Sequence, residues 1–306
     1  MKKLKDYTPT ITVIILNYNG RDLTTECVAS VLHSTYPKYD IVIVDNCSTD
    51  DSCNFLKNKY CDYKKITVCK TSENRHFTGG FNFGAYKAKG EKIVLLSNDI
   101  VVEPNWLDEL MIIARKDKKF LVQPKILQYF NRRRIDNAGG AYSIFGIGKA
   151  IGRDEIDNGQ YNKQMKLDYA SAACFMIDRM FFLQLNGYDE SFISHCEDID
   201  LCLRAKKFGA VCFLSWKSRI YHKISSTYKR FTASDKVIYV IRKNRVTTIL
   251  KNYTGLEKAF RIISILTLHS ILVLFEIIKG NLLLARLTIQ ATLNAFRAQK
   301  SYNILK

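Results

Sequence analysis

Three carboxylates crowd the start of one helix-like stretch, Glu197-Asp198-Ile199-Asp200-Leu201, which continues as CLRAKKFG. An acid in a first helical turn complements the N-terminal dipole and is worth about 0.3–1 kcal/mol. Three in four residues exceed what capping needs, and such crowding is tolerated where a cation or a substrate compensates it. A carboxylate so placed is suited to taking a proton from a bound hydroxyl. One further residue suits a divalent cation. Asp99 closes the apolar run IVLLSN, so its carboxylate emerges in a fixed direction, as either a helix cap or a ligand. Glu103 or Asn105 is better placed to cap the helix that follows. His222 comes just after the run VCFLSW and the link Ser218-Arg219-Ile220-Tyr221. Standing alone, it reads as a surface or core residue until a partner is named.

The elements that must position these groups are legible as short β-branched apolar runs at 11–17 (ITVIILN), 40–45 (DIVIVD), 66–69 (ITVC) and 93–96 (IVLL). Helix-like stretches at 22–34, 51–60 and 80–89 separate them. Strands without polar alternation are buried on both faces, so the pattern predicts a doubly wound, mostly parallel α/β sheet with chemistry at the carboxyl ends of its strands. Those ends read Asn17-Tyr18-Asn19-Gly20, Asp45-Asn46-Cys47-Ser48-Thr49-Asp50 and Ser97-Asn98-Asp99. Any one of them could be only a turn; three on one rim point to a ligand. The stretch from Asn74 to Gly84 has neither dinucleotide nor P-loop spacing, but glycines such as Gly80 permit close backbone approach at a helix start. Residues 120–169 read as irregular, an insertion or a mobile loop. A second block, 170–222, returns to strand (170–177), helix (179–187), an acidic turn, helix (197–208) and strand (211–216).

The chain of 306 residues is 47% hydrophobic and 25% charged, an ordinary globular composition. Its net charge of +18 asks for an anionic partner: nucleic acid, an anionic membrane surface or a phosphorylated substrate. The basic residues are scattered and cluster most in an apolar tail, which argues against nucleic acid. None of the nine cysteines forms a CxxC pair, and the opening MKKLKDYTPT has no apolar core of a signal peptide, so a reduced, cytosolic setting is expected. The boundary is placed at 250, with a tail over 251–306 carrying eight Lys/Arg against two Glu. Its longest apolar stretch, 262–278, contains His269 and Glu276 and is shorter than the roughly 20 residues of a spanning helix. An apolar helix with a basic fringe reads as lying in a membrane interface, peripheral on the inner face of the cell membrane. The rival is a core or dimerisation helix pair in a homo-oligomer.

Over about residues 10–245 these motifs resemble the family 2 glycosyltransferases of GT-A fold, especially their bacterial rhamnosyltransferase-like branch. The turn Val44-Asp45-Asn46-Cys47-Ser48-Thr49-Asp50 is similar to the family's VVDNxSxD, the stretch 74–84 to NxGFxxGxNxG, Ser97-Asn98-Asp99 to the metal-binding DxD, and Glu197 to Gly209 to EDxDLxxRAxxxG. The resemblance implies an inverting, metal-dependent transferase that moves a hexosyl or rhamnosyl unit from a nucleotide-diphosphate sugar to a glycan or lipid-linked glycan in cell-surface polysaccharide synthesis. It implies Asp198 as catalytic base with Glu197 supporting the acceptor pocket, and Asp99 and His222 as ligands of Mg2+ or Mn2+. Donor contacts fall to Asn17, Asn19, Asp45, Asn74, Gly80 and Asn98, with Asp45 at the nucleobase position. The alternative is a non-catalytic membrane-associated nucleotide-sugar or glycan-binding protein of the same fold. A sugar-nucleotide pyrophosphorylase would want a Gly-rich, basic loop after the first strand, which Asn17-Tyr18-Asn19-Gly20 is not.

Overall fold

The computed structural model of the protein describes residues 8–114, 119–223 and 234–304, with side chains described as far as 298. The stretch MKKLKDY, on which the expected absence of a signal peptide rests in part, lies outside the described residues. The four apolar runs form β1 (Ile11–Asn17), β2 (Tyr39–Asp45), β3 (Ile66–Lys70) and β4 (Lys92–Ser97), parallel and in the order β4-β1-β2-β3. Both faces of β1 are covered, Ile14 packing to one side and Val13 and Ile15 to the other. Helices α1 (Arg21–Leu32) and α2 (Ser52–Lys59) lie on the second face, and α3 (His76–Lys87) lies on the first. A Cβ on Gly80 would stand 2.4 Å from Leu16 Cδ1, and one on Gly84 2.4 Å from Ile14 Cγ2. The close approach these glycines permit is therefore that of helix to strand. In-register pairing sets Asn17 beside Asp45 and Leu16 beside Ser97, so three polar strand ends do share one rim.

The sheet continues beyond β4. It takes in β5 (Ile100–Val102), β6 (Phe120–Gln128), β7 (Ile135–Asn137), β10 (Met165–Leu167), β11 (Cys174–Asp178) and β12 (Val211–His222), while β8 (Gly140–Tyr142) and β9 (Gly148–Ala150) form a separate hairpin. Helices α4 (Trp106–Ala114), α5 (Arg179–Gln184) and α6 (Glu197–Lys207) complete the layers. The reading of 120–169 as loop is corrected: β6 lies inside the sheet between β11 and β12, with Leu121, Val122 and Ile126 fully buried. Its strand pattern is masked by Gln123 and Lys125, polar groups satisfied by the same insertion. Gln123 Nε2 donates to Asn137 Oδ1 at 2.9 Å, and Lys125 Nζ pairs with Asp157 at 3.0 Å and Asn162 at 2.6 Å. The second correction concerns His222, which is the last residue of β12 rather than a residue beyond it. The register of β12 against β6 breaks between Ser215 and Arg219, a bulge that disguises the continuing strand.

The tail forms α7 (Asp235–Asn252), α8 (Gly255–Ile278) and α9 (Leu282–Ile304). Position 250 falls within α7, whose Asn252 Nδ2 donates to Asp200 Oδ1 at 2.8 Å and so ties the tail's root to α6. Helix α8 is longer than the apolar stretch 262–278. Among the described residues, α8 is the one helix long and apolar enough to cross a membrane, with a mean hydropathy of 2.0 over its best window. The two polar residues that shortened the sequence stretch point inward. His269 Nδ1 lies 2.8 Å from Thr292 Oγ1, and Glu276 lies 3.8 Å from Arg242. Ile263, Ile271, Leu274 and Ile278 remain outside, each more than half exposed.

Candidate active site

The antiparallel pairing of β5 with the end of β12 sets Ile100 opposite His222, and this brings Asp99 to the imidazole. His222 Nε2 lies 3.2 Å from Asp99 Oδ2, and its Nδ1 lies 2.8 Å from Asp136 Oδ2. Asp136 sits in β7, and Arg153 approaches its other oxygen at 3.4 Å. Burial disfavours charge on His222, but hydrogen bonds and attraction from Asp136 and Asp99 outweigh it and lift the imidazole to about 10. Burial likewise opposes charge on Asp99, yet His222 holds that carboxyl below its ordinary value. Nothing in the stretch RRRIDNAGG distinguishes Asp136 as functional, and sequence reasoning missed it.

Glu197 and Asp198 open α6 as expected. Asp198 Oδ1 accepts from the Ile199 amide at 2.8 Å and Oδ2 from the Ala172 amide at 3.2 Å. Glu197 is buried, and its Oε2 has no hydrogen-bond partner. Burial raises both carboxyls, Glu197 to about 8 with help from the charge of Asp198, and Asp198 to about 6 against the pull of its amide donors. Two adjacent carboxyls pushed apart in this way suit one to hold a proton while the other accepts one. The segment that delivers them is strained: Ile193, His195 and Cys196 have φ of 58°, 65° and 67°. It is held from α7 by Asn244, whose Nδ2 donates to the carbonyls of Phe192, Ser194 and His195 at 3.0, 2.8 and 2.9 Å. Asn244 was also missed, although a signal existed. Asn244, Thr248 and Asn252 recur every fourth residue and make a buried polar stripe along one face of a helix.

Asp99, Asp136, His222, Glu197 and Asp198 line one cleft of about 490 Å³. A neighbouring hollow of about 400 Å³ shares Phe77, Ser97, Asp99 and Ser194 with it and is lined further by Tyr18, Asn46, Asn74 and Asn98. Of the residues expected to meet a donor, Asn74 and Asn98 line this hollow directly. Asn17 and Asp45 lie fully buried beneath the rim: Asn17 Nδ2 donates to Asp45 Oδ1 at 2.8 Å, and the Ser48 amide donates to Asp45 Oδ2 at 3.1 Å. Asn19 ties two loops together, its Oδ1 accepting from the Thr49 amide at 2.8 Å. Gly80 packs against Leu16.

Among the described residues no three His, Cys, Asp or Glu side chains form a ready-made metal cage. Asp99 and His222 nonetheless fit a cation completed by substrate oxygens. They supply one oxygen and one nitrogen at the junction of the two hollows, and Asp136 fixes the ring through Nδ1 while leaving Nε2 toward Asp99, the support that metal-bound imidazoles receive.

Residues 12–185 match the model of Glycosyl transferase family 2. The O-antigen biosynthesis protein RfbC of Myxococcus xanthus is 26% identical over 228 residues, 72% of this chain and 18% of the relative. The low-salt glycan biosynthesis hexosyltransferase Agl10 of Haloferax volcanii is 23% identical over 201 residues, 64% of this chain and 62% of the relative. The chain thus spans a quarter or less of some curated relatives, 25% of an uncharacterized Sinorhizobium fredii protein among them. Among solved structures, GalNAc-T7 with UDP, GalNAc and Mn2+ aligns with a TM-score of 0.63 at 21% identity, covering 85% of this chain and 55% of that one. The mannosyltransferase PcManGT from Pyrobaculum calidifontis with GDP-Man and Mn2+ aligns at 0.60 and 12% identity, covering 95% and 88%. These likenesses show the GT-A fold. Since the family match alone takes in more than half of the residues, this chain belongs to glycosyl transferase family 2.

Proposed function

We propose that the protein is an inverting, metal-dependent glycosyltransferase that moves a hexosyl or rhamnosyl unit from a nucleotide-diphosphate sugar to a glycan or lipid-linked glycan at the inner face of the cell membrane. The observation that carries this reading is Asp198: a carboxyl raised to about 6, gripped by two backbone amides, in the same cleft as Asp99 and His222. The nucleotide would lie in the hollow bordered by Tyr18, Asn74 and Asn98, above the floor that Asn17 and Asp45 brace. Asp99 and His222 would hold a Mg2+ or Mn2+ ion, which would neutralise charge on the departing diphosphate. Asp198 takes the proton from the acceptor hydroxyl as that oxygen bonds to C1 on the face opposite the diphosphate. The C1–O bond to the diphosphate breaks in the same displacement, its electron pair leaves with the phosphate oxygen, and the anomeric configuration inverts. Glu197, raised to about 8, keeps its proton at neutral pH and spares Asp198 a second negative charge alongside. The non-catalytic alternative offers no reason for that division of the pair.

Incubating purified protein with UDP-, GDP- and dTDP-sugars, dTDP-rhamnose among them, and measuring release of nucleoside diphosphate tests the reading. Slow metal-dependent hydrolysis of one donor is expected. Binding of a donor without turnover under any metal would favour the non-catalytic alternative.

A further inference from the structure

The wall of the 490 Å³ cleft that faces the tail is basic and unspent. Arg245, on α7, lines the cleft and has no carboxylate or hydrogen-bond partner among the described residues. Arg153, the other arginine of the lining, already pairs with Asp136 at 3.4 Å. Next to Arg245 on the same wall lies His195. Its Nδ1 is 3.1 Å from the Ser194 hydroxyl, while its buried Nε2 has no hydrogen-bond partner. Burial and the charge of Arg245 both hold His195 below its ordinary value, which favours the neutral ring beside that guanidinium. A half-buried guanidinium and a buried imidazole nitrogen, neither with a partner among the described residues, call for an anionic acceptor atom from outside. Guanidinium planes match phosphate oxygens in pairs.

We infer that this wall is an acceptor subsite for a phosphate ester, with Arg245 taking the phosphate oxygens and His195 donating to one of them. The inference rests on the glycosyl-transfer reading and narrows its acceptor to a phosphorylated glycan or a glycan carried on a polyprenyl phosphate. Arg245 lies on the helix from which the apolar tail departs, so a lipid chain leaving the phosphate has an apolar surface nearby in the exposed faces of α8 and α9.

Equilibrium binding needs no turnover and separates the two readings. Farnesyl phosphate, farnesol and glucose 1-phosphate would each be titrated, with EDTA present to silence the metal site, into wild type, Arg245→Gln and Arg245→Lys in detergent. Arg245→Gln should weaken farnesyl phosphate by about tenfold or more, the measure of a lost charge-assisted contact. Arg245→Lys, which keeps the charge, should recover part of that loss, and farnesol should be indifferent to either change. Arg245-dependent binding of glucose 1-phosphate as well would assign recognition to the phosphate alone, and its absence would add the lipid; the subsite stands in both cases. Equal farnesyl phosphate affinity in wild type and in a folded Arg245→Gln would overturn the subsite, even if the wild type hydrolyses a sugar nucleotide. Weakened binding of the matching nucleoside diphosphate instead would move Arg245 to the donor and overturn it too.

Discussion

The side-chain amide of Asn244 donates to the carbonyl of His195 at 2.9 Å, across 49 residues of chain, and the same nitrogen reaches the carbonyls of Phe192 and Ser194. The amide thus closes a turn in which Ile193, His195 and Cys196 hold a backbone conformation that L side chains rarely adopt. The aim of Asp198 depends on that turn, so Asn244 is a positioning residue. Asn244→Asp keeps the shape but has no N–H to give. It should lose kcat as fully as Asn244→Ala, with a stability cost of about 1–3 kcal/mol for the unsatisfied carbonyls. Wild-type kcat in Asn244→Asp would show that the turn holds itself.

Asp198→Asn is expected to retain donor binding and lose transfer by about 10²–10⁴-fold, since a carboxamide cannot take the proton. Transfer within about threefold of wild type would remove Asp198 from the role of base.

The acidic pair also sets two opposed pH dependences. Transfer needs Asp198 ionised, so the rate should rise with pH through about 6 and fall about tenfold per unit below it. Stability runs the other way. Burial raises Glu197, so the folded protein retains a proton that the unfolded chain gives up near 4.3, and stability is lost as pH climbs from there toward about 8. Glu197→Gln has no such proton. Its Tm relative to wild type should improve from pH 5 to pH 9, and a constant difference in Tm across that range would contradict a buried, protonated Glu197.

How far these groups could be read in advance followed from how local their signals are. The parallel strands announced themselves because burial on both faces leaves no polar alternation, and Asp99, Glu197 and Asp198 stood at ends of runs that periodicity could locate. The strand Phe120–Gln128 could not be read, since its interior Gln123 and Lys125 find partners 14 and 32 residues away. Asp136 was invisible for the same reason: its role exists only once β7 pairs with β6 and faces the end of β12. His222 was singled out but placed beyond its strand, because a bulge broke the pattern of that strand.

Asp136 provides the sharpest check on the metal. Residues that orient a metal-bound imidazole typically matter by about 10–100-fold in metal affinity. Asp136→Ala should therefore raise the Mn2+ concentration needed for half-maximal turnover by that factor, and EDTA should stop wild-type turnover. Asp99→Ala should weaken nucleoside diphosphate binding only when metal is present. Equal donor affinity with and without chelator would count decisively against a cation at Asp99 and His222.

The tail has the length of a spanning helix and the attachments of a peripheral one. At about 1.5 Å per residue the 24 residues of α8 reach about 36 Å, enough for a hydrocarbon core. Yet α8 is fastened near both ends: Arg261 donates to the Ser143 carbonyl at 3.2 Å, and Glu276 meets Arg242 of α7 at 3.8 Å. A helix bound along α7 could cross a bilayer only by shedding those contacts or by taking α7, with buried Asn244 and Arg242, into lipid. Lying in the interface requires neither, and leaves Ile263, Ile271, Leu274 and Ile278 to face the acyl chains. Such binding has an apolar part and a part from Lys/Arg attracted to anionic lipid, the latter worth about 1 kcal/mol per residue near the surface and screened by salt. Full-length protein should therefore bind anionic vesicles better than neutral ones, with the difference shrinking as salt rises, and should be extracted by alkaline carbonate. Resistance to both salt and carbonate would mean that α8 spans. No vesicle binding even at low salt, together with a dimeric solution mass that halves when residues 256–306 are deleted, would mean that the apolar face is a subunit interface.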